Sequence, residues 1–197
     1  MPRRVFAVLV LALGLWSAAT AAAADSLKGR LLIATETMAD PRFAGTVIYL
    51  LEHDQTGAMG LVLNRPAVRL PSAEFLTGLG LDASDAVGEV ELYFGGPVER
   101  FRGFVLHSPD YAGPDTLAIT PWLSLSVRPE IFAKIGAAEG PEHSLVIFGY
   151  AGWGPGQLES ELARNSWYDA PADRDLVFPA DPAETWRRAL ERREIDL

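Results

Sequence analysis

Imidazole and thiol groups are scarce in this 197-residue chain, which has three histidines and no cysteine. No histidine pairs with another at a zinc-binding spacing such as H-x-x-x-H, so we predict no metal site. His107 directly precedes Ser108. Neighbouring residues on a strand point to opposite faces, which keeps this hydroxyl away from the imidazole. The G-x-S-x-G elbow of serine hydrolases is also missing, and the sequence assigns no catalytic residue.

Carboxylates offer a second kind of chemistry. Glu52 and Asp54 flank His53, while Glu159 and Glu161 follow a glycine-rich segment near the C-terminal end. Two such groups that converge can act as general acid and general base in a glycosidase-like site. The sequence does not show that any two of them converge, and the usual interpretation of such carboxylates is a solvated face. An acid–base site therefore remains an alternative.

The glycine-rich segment "GYAGWGPGQ" begins at Gly149, between an apolar run and a helix-like pattern. Phosphate-binding loops use this order. However, Pro155 and Gly156 stand where a Walker loop needs Lys and Ser/Thr, and the glycine spacing also fails the dinucleotide fingerprint. We predict a structural helix start instead, with Gly154 as the cap, Pro155 at the first position and Gln157 bonding back to the cap. No cofactor is predicted.

The elements that position these residues are mostly short apolar strands. One strand is expected at 30–34, and a hairpin at 46–64 ends before Pro66. Helix start signals occur at Ser72, Pro129 and Asp181. Strands outnumber helices and are often joined by connections of hairpin length. This pattern predicts a single α+β domain with a mostly antiparallel sheet flanked by several helices.

The N-terminus has the three parts of a signal peptide in order: two arginines, an apolar run and a small-residue segment. We predict cleavage after residue 24, a mature domain at 25–197, a periplasmic or secreted location and no stable membrane anchor after cleavage. If translation starts near Leu27 instead, the protein is cytoplasmic.

The net charge of −9 argues against nucleic acid as a partner.

Four segments together resemble the YqgE/AlgH family of bacterial proteins: "LLIATETMADPRFAGTVIYLLEHDQTGAMGLVLNRP", "YFGGPV", "RGFVLHS" and "GYAGWGPGQLESELARNSWYDAPAD". The resemblance implies an α+β domain whose sheet curls toward a flattened barrel. It implies no activity, although some members carry the label of transcriptional regulator. It also implies a set of polar or motif positions that can form one surface for a ligand or partner. These positions are His53, Asn64, Gly95, Gly96, Pro97, His107, Gln157, Glu161, Asn165 and Trp167.

Our leading hypothesis is therefore a non-enzymatic, regulatory domain that binds an unknown small molecule or protein. One alternative is a hydrolase that uses His53 or His107 with Glu161. A transcriptional regulator is a further alternative, which the acidic charge and the predicted signal peptide both disfavour.

Overall fold

The computed structural model describes residues 26–193, so the predicted signal peptide at 1–24 lies outside the described residues. This part of the chain contains ten strands and five helices. The strands are β1 (Arg30–Ala34), β2 (Val47–Asp54), β3 (Gly57–Val62), β4 (Pro66–Pro71), β5 (Glu89–Phe94), β6 (Val98–His107), β7 (Leu117–Thr120), β8 (Leu123–Ser126), β9 (Ser144–Trp153) and β10 (Trp167–Pro171). The helices are α1 (Ser72–Gly78), α2 (Pro129–Gly136), α3 (Gln157–Ala163), α4 (Arg174–Val177) and α5 (Pro182–Glu191).

The strands form one curled sheet in the order β10-β1-β2-β3-β9-β6-β8-β7. A side branch consists of β4 and β5, which pair antiparallel with each other, while β5 pairs parallel with β9. Every other pairing in the described chain is antiparallel. The predicted class, a single α+β domain with a curled, mostly antiparallel sheet, is confirmed.

Strand β9 lies at the centre of the sheet because its first half is apolar enough to be buried. Its residues 146–148 pair with β5, whereas residues 151–153 pair with β3. The opposite edge of β9 pairs with β6. The residues after β9 therefore emerge beside the β2–β3 hairpin, and this is where the candidate site forms.

Three hydrophobic clusters hold the helices on the sheet. The largest packs strand residues such as Tyr49 and Phe104 against Val177 of α4 and Ala189 of α5. The second places Leu158 of α3 on the face that carries Ala58 and Trp153. The third packs α1 and α2 against β5, β6 and β9. Apolar burial of this kind stabilises the fold by roughly 25 cal/mol per Å².

Several local predictions were wrong. Pro66 was expected to end the hairpin, but it opens β4, since proline is tolerated as the first residue of a strand. Ser72 was expected to cap α1. Its hydroxyl instead donates to the carbonyl of Val87, and Pro71 occupies the cap position without a side-chain bond. Strand β10 and the one-turn helix α4 were not predicted. By contrast, Asp181 caps α5 as expected, accepting from the Ala183 amide at 2.9 Å.

Within residues 26–193, none of the helices is both long and apolar enough to cross a bilayer.

Candidate functional site

The glycine-rich segment is part strand and part turn. Strand β9 continues through it to Trp153, and α3 begins only at Gln157. The helix cap is therefore Gly156, in the left-handed region at φ 71°, and the prediction of Gly154 as cap was wrong. The predicted bond back from Gln157 does form, since its Oε1 accepts from the Gly154 amide at 3.1 Å. This bond fixes the turn between β9 and α3.

Glu161 is the best-connected polar side chain of this region. Its Oε2 accepts from the indole Nε1 of Trp153 at 2.9 Å and of Trp167 at 2.8 Å. Its Oε1 accepts from Nε2 of Gln157 at 2.9 Å. Burial raises the pKa of Glu161, but the bonds from Gln157, Trp167 and Trp153, together with the charge of Arg164, lower it below its ordinary value. Glu161 is therefore an ionised carboxylate held in one orientation.

Three aromatic rings surround this carboxylate. Phe43, from the β1–β2 connection, lies 5.7 Å from the Trp167 ring and 6.5 Å from the Trp153 ring, between centroids. The two indoles are 6.0 Å apart and nearly perpendicular. Edge-to-face pairs of this kind stabilise packing beyond the area that they bury. The aromatic cluster makes a rigid wall.

A cleft of about 440 Å³ opens along this wall. One face of α3 lines it with Gln157 and Glu161, and Arg164, which caps the C-terminal end of the helix, lines it three residues later. The rim carries Asp40 and Arg42, which neutralise each other in an ion pair at 2.6 Å. Within the described chain, Arg164 forms no ion pair and bonds only to the Ser160 hydroxyl, at 3.0 Å. The cleft thus offers one cation that is outside any ion pair of the described chain, although its charge acts on Glu161.

A second cleft of about 380 Å³ adjoins the first. Both are lined by Val98, Gly152 and Trp153. Among the described residues, the remaining lining of the second cleft includes two exposed carboxylates and no Lys or Arg. The side chains are Glu52, Asp54, Thr56, Ala58, Met59 and Tyr150, beside Gly57. We call the first, which α3 lines, the α3 cleft, the second, which holds Glu52 and Asp54, the acidic cleft, and the two together the groove.

Strand register explains how the groove forms. Glu52 pairs with Met59 across β2 and β3, and Met59 pairs with Gly152 across β3 and β9. Directly paired residues share one face of a sheet, so these three lie side by side. Gly152 is therefore the floor between the acidic cleft and the α3 cleft.

Gly152 is a glycine that the backbone does not require. Its φ lies outside the left-handed region, and an added Cβ would come no closer than 3.3 Å to another residue, the flexible ring of Tyr150. The residue is nevertheless solvent-exposed in the middle of a groove. A glycine inside a strand often marks a place where a ligand or another backbone approaches closely.

Four of the ten sequence-predicted positions line the groove, all in its α3 cleft: Pro97, Gln157, Glu161 and Trp167. Gly95 and Gly96 are buried against the backbone of β9, outside the lining of the groove, and serve close packing. A Cβ on Gly95 would lie 2.3 Å from the Gly149 carbonyl oxygen, and one on Gly96 would lie 2.2 Å from the Tyr150 carbonyl carbon.

The two asparagines brace connections outside the groove. Asn64 accepts from the Val47 amide at 2.9 Å and donates to the Gly45 carbonyl at 2.9 Å, which fixes the start of β2. Asn165 ends α3 in the left-handed region at φ 54°, and its carbonyl accepts from the Thr35 hydroxyl. Neither side chain lines the groove.

His53 is buried behind the groove with both ring nitrogens occupied. Nδ1 accepts from the Leu27 amide at 2.9 Å, which leaves the proton on Nε2. Nε2 then donates to Glu159 Oε1 at 3.1 Å. His53 therefore pairs with Glu159, whereas Glu161 is held by Gln157 and the two tryptophans.

His107 lies at the far end of the sheet. It pairs with Ser144 at the start of β9, nine residues before Trp153, which corresponds to about 30 Å along the strand. Its Nδ1 donates to the Ser108 carbonyl at 2.8 Å, and its Nε2 accepts from the Ser126 hydroxyl at 3.0 Å. The Ser108 hydroxyl donates to Asp110 rather than to the imidazole.

The sequence prediction missed several lining residues: Arg42, Phe43, Val98, Gly152 and Arg164. The seven-residue spacing of Gln157 and Arg164 could have indicated that they share a helix face. A glycine within the otherwise apolar strand at 144–153 could have indicated Gly152 as a lining residue. Phe43 and Val98 reach the groove only through tertiary contacts. Among residues 26–193, no group of three or more His, Asp or Glu side chains could hold a metal ion.

Comparison with known proteins finds relatives that share close to half of their residues with this chain and match most of its length. A UPF0301 protein of Methylococcus capsulatus is 45% identical over 169 residues, which cover 86% of this chain and 92% of that protein. A UPF0301 protein of Caulobacter vibrioides is 45% identical over 173 residues, covering 87% and 89%.

Solved structures share the fold. The solution structure of the AlgH protein from Pseudomonas aeruginosa is 44% identical, with a TM-score of 0.72 over 85% of this chain and 89% of that one. A crystal structure from Corynebacterium diphtheriae, 21% identical with a TM-score of 0.64 over 85% and 87%, shows the same fold. A family model described as AlgH-like matches residues 31–197, and the chain therefore belongs to the AlgH-like family.

Proposed function

We propose that this protein is a non-enzymatic binding domain whose groove takes up an elongated small molecule or a segment of a partner protein. The observation that carries the proposal is Gly152, an exposed glycine that the fold does not need and that keeps the floor between two clefts bare. A bulky side chain there would project between the clefts, so we attribute the glycine to a ligand that passes over it.

The surroundings of Gly152 suit a preformed site. The two clefts, of about 380 and 440 Å³, each reach the size typical of ligand pockets, roughly 300–1,000 Å³. Glu161 is held by three hydrogen bonds before any ligand arrives. Groups that are already ordered lose little conformational entropy on binding, which favours affinity.

The hydrolase alternative receives no support from this geometry. His53 has both nitrogens engaged and faces Glu159, while His107 is fully buried about 30 Å away along β9. A general base must come within hydrogen-bond reach of the proton that it removes. Neither histidine can do so for a molecule in the groove without leaving its present partners.

The test is an amide-resonance screen of the mature protein with amino acids, short peptides, nucleotides and sugars. We expect at least one class to shift resonances of Gly152, Trp153 and the α3 residues. Gly152→Leu should abolish the shifts by filling the floor. Gly78→Leu is the matched control, because Gly78 is exposed, lies outside the groove and has open space around it.

Two results would contradict the proposal. One is a screen in which every class leaves the groove resonances unchanged. The other is a ligand whose shifts survive in Gly152→Leu, because that ligand would then bind elsewhere.

A further inference from the structure

We propose, resting on the function above, that the groove binds a short peptide in an extended conformation, with its cationic amino end at Glu52 and Asp54 and its carboxylate end at Arg164. Three features of the groove lead to this ligand: an acidic end, a bare apolar middle and a cation at the other end.

The acidic end calls for a cation. Glu52 and Asp54 are exposed, and no Lys or Arg of residues 26–193 lines this cleft. Hydrogen bonds from the hydroxyl and the amide of Thr56 lower the pKa of Asp54, so it is ionised at neutral pH. Two neighbouring carboxylates without a counter-ion attract an ammonium or guanidinium group.

The middle of the groove suits a peptide backbone that carries apolar side chains. Glu52, Met59 and Gly152 are cross-strand neighbours, so about 10 Å separates the acidic end from the glycine floor, at roughly 4.8 Å per strand. An extended peptide covers this span in about three residues. At Gly152 no Cβ holds the peptide away, and Met59, Tyr150 and Val98 beside it offer partly buried apolar surface.

The end of the groove at Arg164 favours an anionic group. Arg42 is already paired with Asp40, whereas Arg164 forms no ion pair among residues 26–193, although its charge acts on the neighbouring carboxylate of Glu161. A guanidinium binds a carboxylate well because its paired N–H groups match the two oxygens. Glu161, one turn before Arg164, can accept a peptide N–H at Oε1, where only Gln157 donates. This pairing of opposite charges fits a peptide better than it fits a sugar or a nucleotide.

The probe is the unblocked tetrapeptide Lys-Ala-Leu-Phe, titrated into the mature protein with calorimetry and tryptophan fluorescence as readouts. N-acetyl-norleucine-Ala-Leu-Phe lacks both cations, and the C-terminal amide of the original peptide lacks the carboxylate. We expect each change to weaken binding about tenfold, the effect of roughly 1.4 kcal/mol.

Variants locate each end. Glu52→Gln with Asp54→Asn should weaken the unblocked peptide about tenfold, yet leave the acetylated norleucine peptide unaffected. Arg164→Gln should weaken the unblocked peptide and leave the amide unaffected. Glu159→Gln is the control for a lost charge on α3, because Glu159 faces His53 rather than the groove.

Two outcomes overturn this inference. In one, the tetrapeptide binds and none of the charge variants changes its affinity. In the other, the tetrapeptide fails to bind while another class of molecule shifts the groove resonances in a manner lost in Gly152→Leu. The second outcome leaves the proposed function intact and rejects only the peptide.

Discussion

At the scale of single residues, Glu161 links the packed core to the groove. Its Oε2 joins two indoles that belong to different strands, while its Oε1 faces Gln157. Sequence spacing could place Glu161 and Gln157 on one face of a helix. It could not show that Trp153 donates to the same oxygen as Trp167, because this depends on β9 continuing past Gly152. Sequence patterns therefore predict local neighbours, whereas tertiary geometry decides which side chains donate to the same acceptor atom.

The hydroxyl of Tyr49 provides a test of polar burial. This side chain is fully buried, and no described residue offers its hydroxyl a hydrogen-bond partner. A buried polar group without a partner costs free energy, so Tyr49→Phe should leave the free energy of unfolding unchanged or raise it by about 1 kcal/mol. Tyr93→Phe is the matched control, since it removes a bond to Glu91 at 2.9 Å and should lower stability by about 1 kcal/mol. Urea unfolding measures both. A clear loss of stability in Tyr49→Phe would contradict the expectation.

The buried imidazole of His107 predicts a pH dependence. Burial is the main influence and lowers its pKa, whereas the bond to the Ser108 carbonyl and the charge of Asp110 act in the opposite direction. In the unfolded chain the ring titrates near pH 6.5. As the pH falls through that value, the unfolded state takes up a proton that the folded state does not yet bind. Stability should therefore decrease as the pH falls below about 6.5.

Two measurements check this pH dependence. The imidazole proton resonances of His107 should titrate with a midpoint below 6.5. Unfolding curves between pH 7 and 5 should show a smaller decrease in His107→Asn, which cannot titrate, than in the original protein. A midpoint at or above 6.5 would mean that burial does not dominate the titration of this residue.

At the scale of elements, the sequence predicted the strands and helices whose signals are local. The β2–β3 hairpin has its turn residues, and α5 has both Asp181 and Pro182 at its start. Predictions failed where a tertiary partner decides the outcome. Strand β10 exists because β1 offers it an edge from Arg30 to Ala34. Its sequence, WYDAP, contains a proline and a mixture of polar and apolar residues that indicates no strand by itself.

The start of α3 can be tested directly, by asking which glycine caps the helix. Gly156 caps the helix at φ 71°, a conformation that costs roughly 1 kcal/mol for a residue with a Cβ, whereas the φ of Gly154 is not left-handed. Gly156→Ala should therefore lower the free energy of unfolding by about 1 kcal/mol. Gly154→Ala should change it by less than about 0.5 kcal/mol, because a Cβ there would meet only Gln157, at 3.9 Å. Equal losses in the two variants would contradict the assigned cap.

At the scale of the whole molecule, β9 joins two halves of the sheet that have different neighbours. Its early residues pair with β5, and its late residues pair with β3. The change of neighbour occurs at Gly95 and Gly96. The Gly95 amide donates to the Phe148 carbonyl, and the Gly95 carbonyl accepts from the Val62 amide. This arrangement brings the acidic carboxylates of β2 into the same groove as α3, so the shape of the groove depends on this junction.

Gly96 should therefore be essential in a way that Gly152 is not. An added Cβ at Gly96 would lie 2.2–2.4 Å from backbone atoms of Tyr150 and Ala151, and φ is 149°, a conformation that side chains rarely adopt. Backbone cannot yield as a side chain can, so Gly96→Ala should destabilise the protein by about 3 kcal/mol or more. Gly152→Ala meets the side chains of Tyr150, at 3.3 Å, and Val98, at 3.8 Å, and should lower stability by less than about 1 kcal/mol. Thermal and urea unfolding of the two variants give the comparison. If Gly152→Ala proved as destabilising as Gly96→Ala, folding alone would explain the glycine at 152, and no ligand passing over it would be needed.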